Sequence, residues 1–107
     1  MPRFVTIGYG DRAGYDRTDP AIRDAAHRHD ESLLRAGALM GIAEQPVQVR
    51  NHGGAGVETR EGPFMTSDLP IAGFSVIEAP TLEEAVSLAS QSPCAVAYGV
   101  IEVWPMQ

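Results

Sequence analysis

The chain has 107 residues, a hydrophobic fraction of 44% and a formal charge of −6. That length suits one compact domain built on one core, so residues 1–107 are expected to form a single unit. The acid excess, with no Lys or Arg cluster, excludes a phosphate-gripping surface and hence a nucleic-acid partner. No run of ~18 apolar residues and no signal-peptide pattern at the start predict a cytosolic chain without a membrane partner.

The first strand is read from Phe4 to Tyr9 by its β-branched and aromatic content, ending where Gly8, Gly10 and Gly14 offer turns. A helix follows from Asp19-Pro20, a capping carboxylate before a proline that needs no donor, and it stops at Gly37. After the apolar stretch Ala38 to Ile42, the alternating Val47-Gln48-Val49-Arg50 and Val57-Glu58-Thr59-Arg60 flank a Gly-rich tip, which predicts a hairpin. Gly73 to Ala79 is a strand, Thr81 caps a second helix, and Tyr98 to Val103 is the last strand. The order is βαββαβ with an inserted hairpin, an α+β, ferredoxin-like arrangement.

Strand alternation assigns the faces. Ile77, Ala79, Ala97, Gly99, Ile101 and Val103 are expected under the helices, against Ala85, Val86 and Leu88. Phe74, Val76 and Glu78, with Tyr98, Val100, Glu102 and Trp104, fall on the other side, and Phe4 and Thr6 are placed with them. That second surface is too aromatic to leave in water, and the two helices can cover only one side of a sheet. A second copy packed across a two-fold axis is the simplest cover, so a homodimer is expected. Glu78 and Glu102 would then point into a partly enclosed space where desolvation suits a carboxyl for proton transfer, or else pair with Arg3 or Arg60.

On the first helix, Ile22, Ala25, Ala26, His29, Leu33 and Ala36 share a stripe at 100° per residue, with His27, Glu31 and Asp24 away from it and Asp30 on its edge. His29 is the inward histidine and the candidate proton carrier. His27 and His29 project to different sides and cannot share a metal, and no His-Glu-x-x-His spacing exists, so neither metal nor cofactor is expected. Cys94, the only cysteine, excludes an internal disulfide and reads as a buried, unreactive thiol. Gly8-Tyr9-Gly10 and Gly53-Gly54-Ala55-Gly56 lack the helix-opening glycine or the Lys-Ser/Thr pair that nucleotide loops require. No serine stands in a nucleophile elbow.

Glu61-Gly62-Pro63-Phe64, the strand–helix–strand order after it and the closing Trp104-Pro105 resemble the YCII-related family, in the branch that carries an Asp-Gly-Pro-Phe signature. The resemblance implies a dimeric α+β barrel. It also implies acid-base chemistry by a histidine of the first helix and an aspartate in an Asp-Pro pair before the last strand. Here His27 and His29 stand near the first position and Ser92-Pro93 at the second, so the acid is missing. Met65-Thr66-Ser67-Asp68-Leu69 replaces the branch's Ala-Glu-Thr-Lys-Glu, and Gly62-Pro63-Phe64 itself reads as a turn with Phe64 plugging the core. The expected function is cofactor-free turnover of a small molecule, of isomerase, lyase or dehydrohalogenase type. His29 or His27 would act with Glu78 or Glu102, and Phe64, Phe74, Tyr98, Trp104 and Arg60 would hold the substrate. The alternative is a ligand-binding or regulatory protein of the same fold.

Overall fold

The structure, a computed structural model, describes residues 1–107. In chain order it has β1 (Arg3–Tyr9), α1 (Arg12–Asp16), α2 (Pro20–Arg35), β2 (Leu39–Ile42), β3 (Val47–Arg50), β4 (Glu58–Glu61), β5 (Ile71–Glu78), α3 (Leu82–Ala89), α4 (Pro93–Val96) and β6 (Val100–Met106). Capping chemistry sets the helix bounds. The Asp19 carboxylate accepts from the Ala21 N–H at 2.9 Å, and the Thr81 hydroxyl accepts from Glu84 at 3.2 Å. At the far end of α2, Gly37 takes φ +103°, which lets the Gly37 and Ala38 N–H groups return to the carbonyls of Leu34 and Leu33. Two short helices were not foreseen. α1 is capped by Asp11, and α4 by Ser92 just before Pro93. Both lie in turn-like composition, and packing rather than propensity makes them helical.

The main sheet is antiparallel in the order β2-β5-β1-β6, the ferredoxin-like arrangement, and it stays open within the chain. Its register decides the faces. Phe4 pairs with Ile77, Thr6 with Ser75 and Gly8 with Gly73 on one side of β1, and with Pro105, Val103 and Ile101 on the other. This inner face meets the helices, where Phe4, Ile77, Ala79 and Ala85 are buried and Leu33, Ala38, Leu88 and Val103 pack around them. Phe4 and Thr6 therefore lie inside with Ile77, not on the aromatic face as alternation alone had placed them. Their cross-strand partners fix the parity that β1 by itself leaves free. Val86, expected to face the sheet with Ala85 and Leu88, is 50% exposed because α3 turns only the other two inward.

The outer face has no cover from the chain itself. Val5 and Ile7 of β1, Leu39 of β2, Phe74 of β5 and Trp104 of β6 share it by register, with Phe74 48% and Trp104 52% exposed. β3 and β4 pair only with each other and form a small arm. Phe64 belongs to this arm rather than to the core. Gly62 turns at φ +94° and donates to the Pro46 carbonyl, leaving the Phe64 ring 78% exposed and 5.8 Å from the Arg50 guanidinium. No helix is long and apolar enough to cross a membrane.

Gly99 is the tightest point of the fold. It joins α4 to β6 and donates to the Cys94 carbonyl at 3.0 Å, and a Cβ there would stand 2.1 Å from the Tyr9 carbonyl oxygen. Gly99→Ala is expected to lower Tm by at least ~5 °C, from a repacking cost of about 1–3 kcal/mol. Gly41→Ala, where an added Cβ meets nothing within 4 Å, is the control. Equal melting curves for the two variants in differential scanning calorimetry would contradict the close approach.

Candidate functional site

A cavity of about 460 Å³ lies between α2 and the inner face of β5, β1 and β2. It exists because α2 leans on α4 rather than directly on the strands, and because the floor lacks bulk where Gly8 and Gly73 face each other across β1 and β5. Gly8 also admits Cys94, since a Cβ there would stand 2.7 Å from its Sγ. Beside these glycines the hydroxyls of Thr6 and Ser75 bond to one another on the floor. Leu33, Ile77 and Leu88 make the dry end, and Met40, Ile42 and Phe74 form the rim along β2 and β5. A mostly apolar hollow with a few converging polar groups is the usual form of a small-molecule site.

Three titratable side chains reach the cavity: His27 and Asp30 from α2, and Cys94 from α4. His27 and Asp30 are three residues apart, so a helix places them side by side. Burial pushes the Asp30 carboxyl above the usual carboxylate range, while positive charge on His29 and His27 pulls it back. The Cys94 thiol is raised too, first by burial and then by the Asp30 charge, which makes it a poor nucleophile. The Nε2 of His27 lies 3.0 Å from the Tyr15 hydroxyl, and the Arg23 guanidinium sits 4.7 Å from the Tyr15 ring, so α1 steadies the imidazole from outside.

The residues singled out from the sequence do not gather in one place. His27 borders the cavity, and Phe74 touches its rim at the β2–β5 edge although its side chain falls on the outer face by register. His29 turns inward as its stripe predicts, but its Nε2–H donates to the Leu88 carbonyl at 2.8 Å and ties α2 to α3. Glu78 and Glu102 stand on the outer face, away from both histidines. The former meets Arg3 at 3.2 Å with both groups exposed, and the latter accepts from the Tyr9 hydroxyl at 2.7 Å. That bond, with desolvation and the negative charge behind it, pushes the Tyr9 phenol above its ordinary value. Trp104 is on the outer face. Tyr98 precedes β6 with φ +62°, its ring covered by Arg17 at 4.1 Å. Phe64 and Arg60 belong to the arm, where Arg60 approaches Glu58 at 4.0 Å. No three His, Cys, Asp or Glu side chains gather as metal ligands would.

Asp30, Thr6 and Ser75 were missed as site residues. The helix stripe correctly held Ala26 and Leu33 but also took in Ile22, Ala25 and Ala36, which are exposed, and left Asp30 on its edge, whereas Ala26, Asp30 and Leu33 form the inner line. Their spacing of four and three residues was the available signal. Glycines within two strands, at 8 and 73, marked the hollow floor.

The model of the YCII-related domain matches residues 3–107. The chain belongs to the YCII-related family. No curated protein matches it. Ser92, just before Pro93, accepts from the Ala95 N–H at 3.4 Å through its hydroxyl and caps α4. Asp30 is the carboxyl that this YCII-related chain brings to the cavity.

The raised Asp30 has a signed consequence. Its folded-state pKa lies above the unfolded one, so its contribution to stability is complete below the unfolded pKa and is lost as pH rises through the folded pKa. Asp30→Asn should therefore raise Tm at pH 7, by about 1–3 °C after allowing for solvent screening, and leave it unchanged near pH 3. Melting curves of both proteins at the two pH values check this.

Proposed function

We propose that the chain is a cofactor-free acid-base enzyme acting on a small molecule in the cavity under α2, with turnover of isomerase or lyase type. The observation that carries this reading is the pair His27 and Asp30, adjacent on one helix face, at the border of an apolar hollow, with the carboxyl displaced upward by burial. In such a pair one group accepts a proton from the bound molecule and the other returns one to a second atom, so no net charge or redox partner is consumed. His29 acts beside them as a positioning residue, holding α2 to α3 through Leu88. Thr6 and Ser75 offer hydroxyls to a polar end of the ligand.

Ser92 supports a second reading, a ligand-binding or regulatory protein. Its hydroxyl is committed to capping α4, and no carboxyl stands at that place. The two readings part on proton exchange. Ligands are first found by thermal shift and then incubated with the protein in D2O. An enzyme incorporates deuterium, and His27→Gln and Asp30→Asn slow this by about 10²-fold or more. A ligand that binds and never exchanges favours the binding protein. The pairing has its own check in a carboxyl-carbon NMR titration. His27→Gln and His29→Gln should each move the Asp30 midpoint upward, because each removes a positive charge, and an unmoved midpoint would sink the coupled site.

The reading includes a homodimer closed over the outer face, and a site in a cytosolic protein. The half-exposed Phe74, Trp104 and Val100, contiguous across β5 and β6 through β1, support the dimer. Light scattering at micromolar concentration should give twice 11.5 kDa, and Trp104→Glu should give the single chain. A native particle of single-chain mass would rule the dimer out.

A further inference from the structure

The cavity differs from the rest of the surface in one respect: no arginine lines it, and the chain contains no lysine. Six of the eight arginines are placed by contacts or by the arm, away from the cavity. Arg3 pairs with Glu78, Arg12 with Asp16, Arg17 covers Tyr98, Arg23 covers Tyr15, and Arg50 and Arg60 belong to the arm. The ionisable groups at the cavity are Asp30, His27 and Cys94, and ten of its nineteen lining residues are hydrophobic. An anion entering it would shed water, find no fixed cation and approach a carboxyl. An organic cation would have to shed its water in a mostly apolar hollow with one half-buried carboxyl as its only counter-charge.

We propose that the cavity selects an uncharged, largely apolar molecule whose single polar end is a carbonyl or hydroxyl, received by the Asp30 carboxyl above and the Thr6–Ser75 hydroxyls below. This inference rests on the cavity being the working site. The floor suits such an end, because each hydroxyl both donates and accepts. A carboxyl does the same when protonated and accepts when ionised. The selection acts by exclusion as much as by attraction, since an anionic analogue of the same shape meets the one carboxyl on the wall and a cationic one loses its hydration in an apolar hollow.

Three probes of one shape test it: 2-naphthol, 2-naphthoate and 2-naphthylmethylamine, titrated by fluorescence at pH 8, above the range in which imidazole rings ordinarily carry a proton. 2-Naphthol should bind at least about tenfold more tightly than either charged probe. In Asp30→Asn, and in Asp30→Ser should the first variant fold poorly, the gap between naphthol and naphthoate should shrink to within about threefold. Naphthol itself should still bind, because Asn and Ser keep a hydrogen-bonding end. Naphthoate binding as tightly as naphthol, the amine binding more tightly than either, or an unchanged gap in both variants would each overturn the selection. Amide NMR separates this from the reading beneath it. Naphthol that leaves the Gly8 and Gly73 signals unmoved overturns the cavity as the site and this inference together, whereas shifted glycines with no discrimination overturn the inference alone.

Discussion

A sheet has two faces, and this chain has helices for one of them. That asymmetry organises the rest of the molecule. On the covered side the burial of Phe4, Ile77, Ala79 and Ala85 anchors α3 against β1 and β5, and the core is small because two of those four side chains are alanines. α2 is the element this core holds least directly. It is fastened at its end by Leu33, Ala38 and the returning N–H groups around Gly37, and at its middle by the His29–Leu88 bond. Elsewhere it leans on α4, and His27, Asp30 and Leu33 border the hollow that Gly8 and Gly73 floor. One-sided cover thus produces both features of functional interest: the hollow under a helix that is only partly seated, and the apolar outer face that calls for another molecule.

The electrostatics of the hollow follow from the same partial seating. A fully packed helix would have excluded Asp30 or forced it to pair, whereas here the carboxyl is half-buried at the hollow and no guanidinium pairs with it. Keeping an acid in such a place costs stability whenever it is ionised, and a site that tolerates this has traded some of the fold's margin for a proton held near a ligand. The Cys94 thiol, raised by the same burial and by the same acid, serves instead as packing in the space that Gly8 leaves open.

Much of this architecture was legible in the residues. Asp19-Pro20, Gly37 and Thr81 carry their instructions locally, in one side chain or one backbone angle, so α2 and α3 begin or end where the chemistry says. The βαββαβ order was legible for the same reason. What was hidden depends on partners distant in sequence. Phe4 and Thr6 face inward because Ile77 and Ser75 lie opposite them, and alternation in β1 is equally satisfied by either choice. α1 and α4 are helical because Gly14 fits against the Ala97 carbonyl and Pro93 follows a cap, and both looked like loop. The site suffered most. A rotation of the helix stripe by about one residue exchanged His29 for Asp30 as the group over the cavity. Glu78 and Glu102 do lie on the outer face where alternation puts them, beside Arg3 and Tyr9, and so stand apart from the histidines of α2.

The arm of β3 and β4 has a separate energetic life. Its two four-residue strands pair with one another and with no strand of the main sheet, and the bonds from Gln48 and Gly62 stay within it. A lone two-stranded ribbon has little to hold it in water. Its amide groups therefore open and close on their own schedule, through local fluctuations that leave the four-stranded sheet intact, and the molecule carries two tiers of persistence within 107 residues.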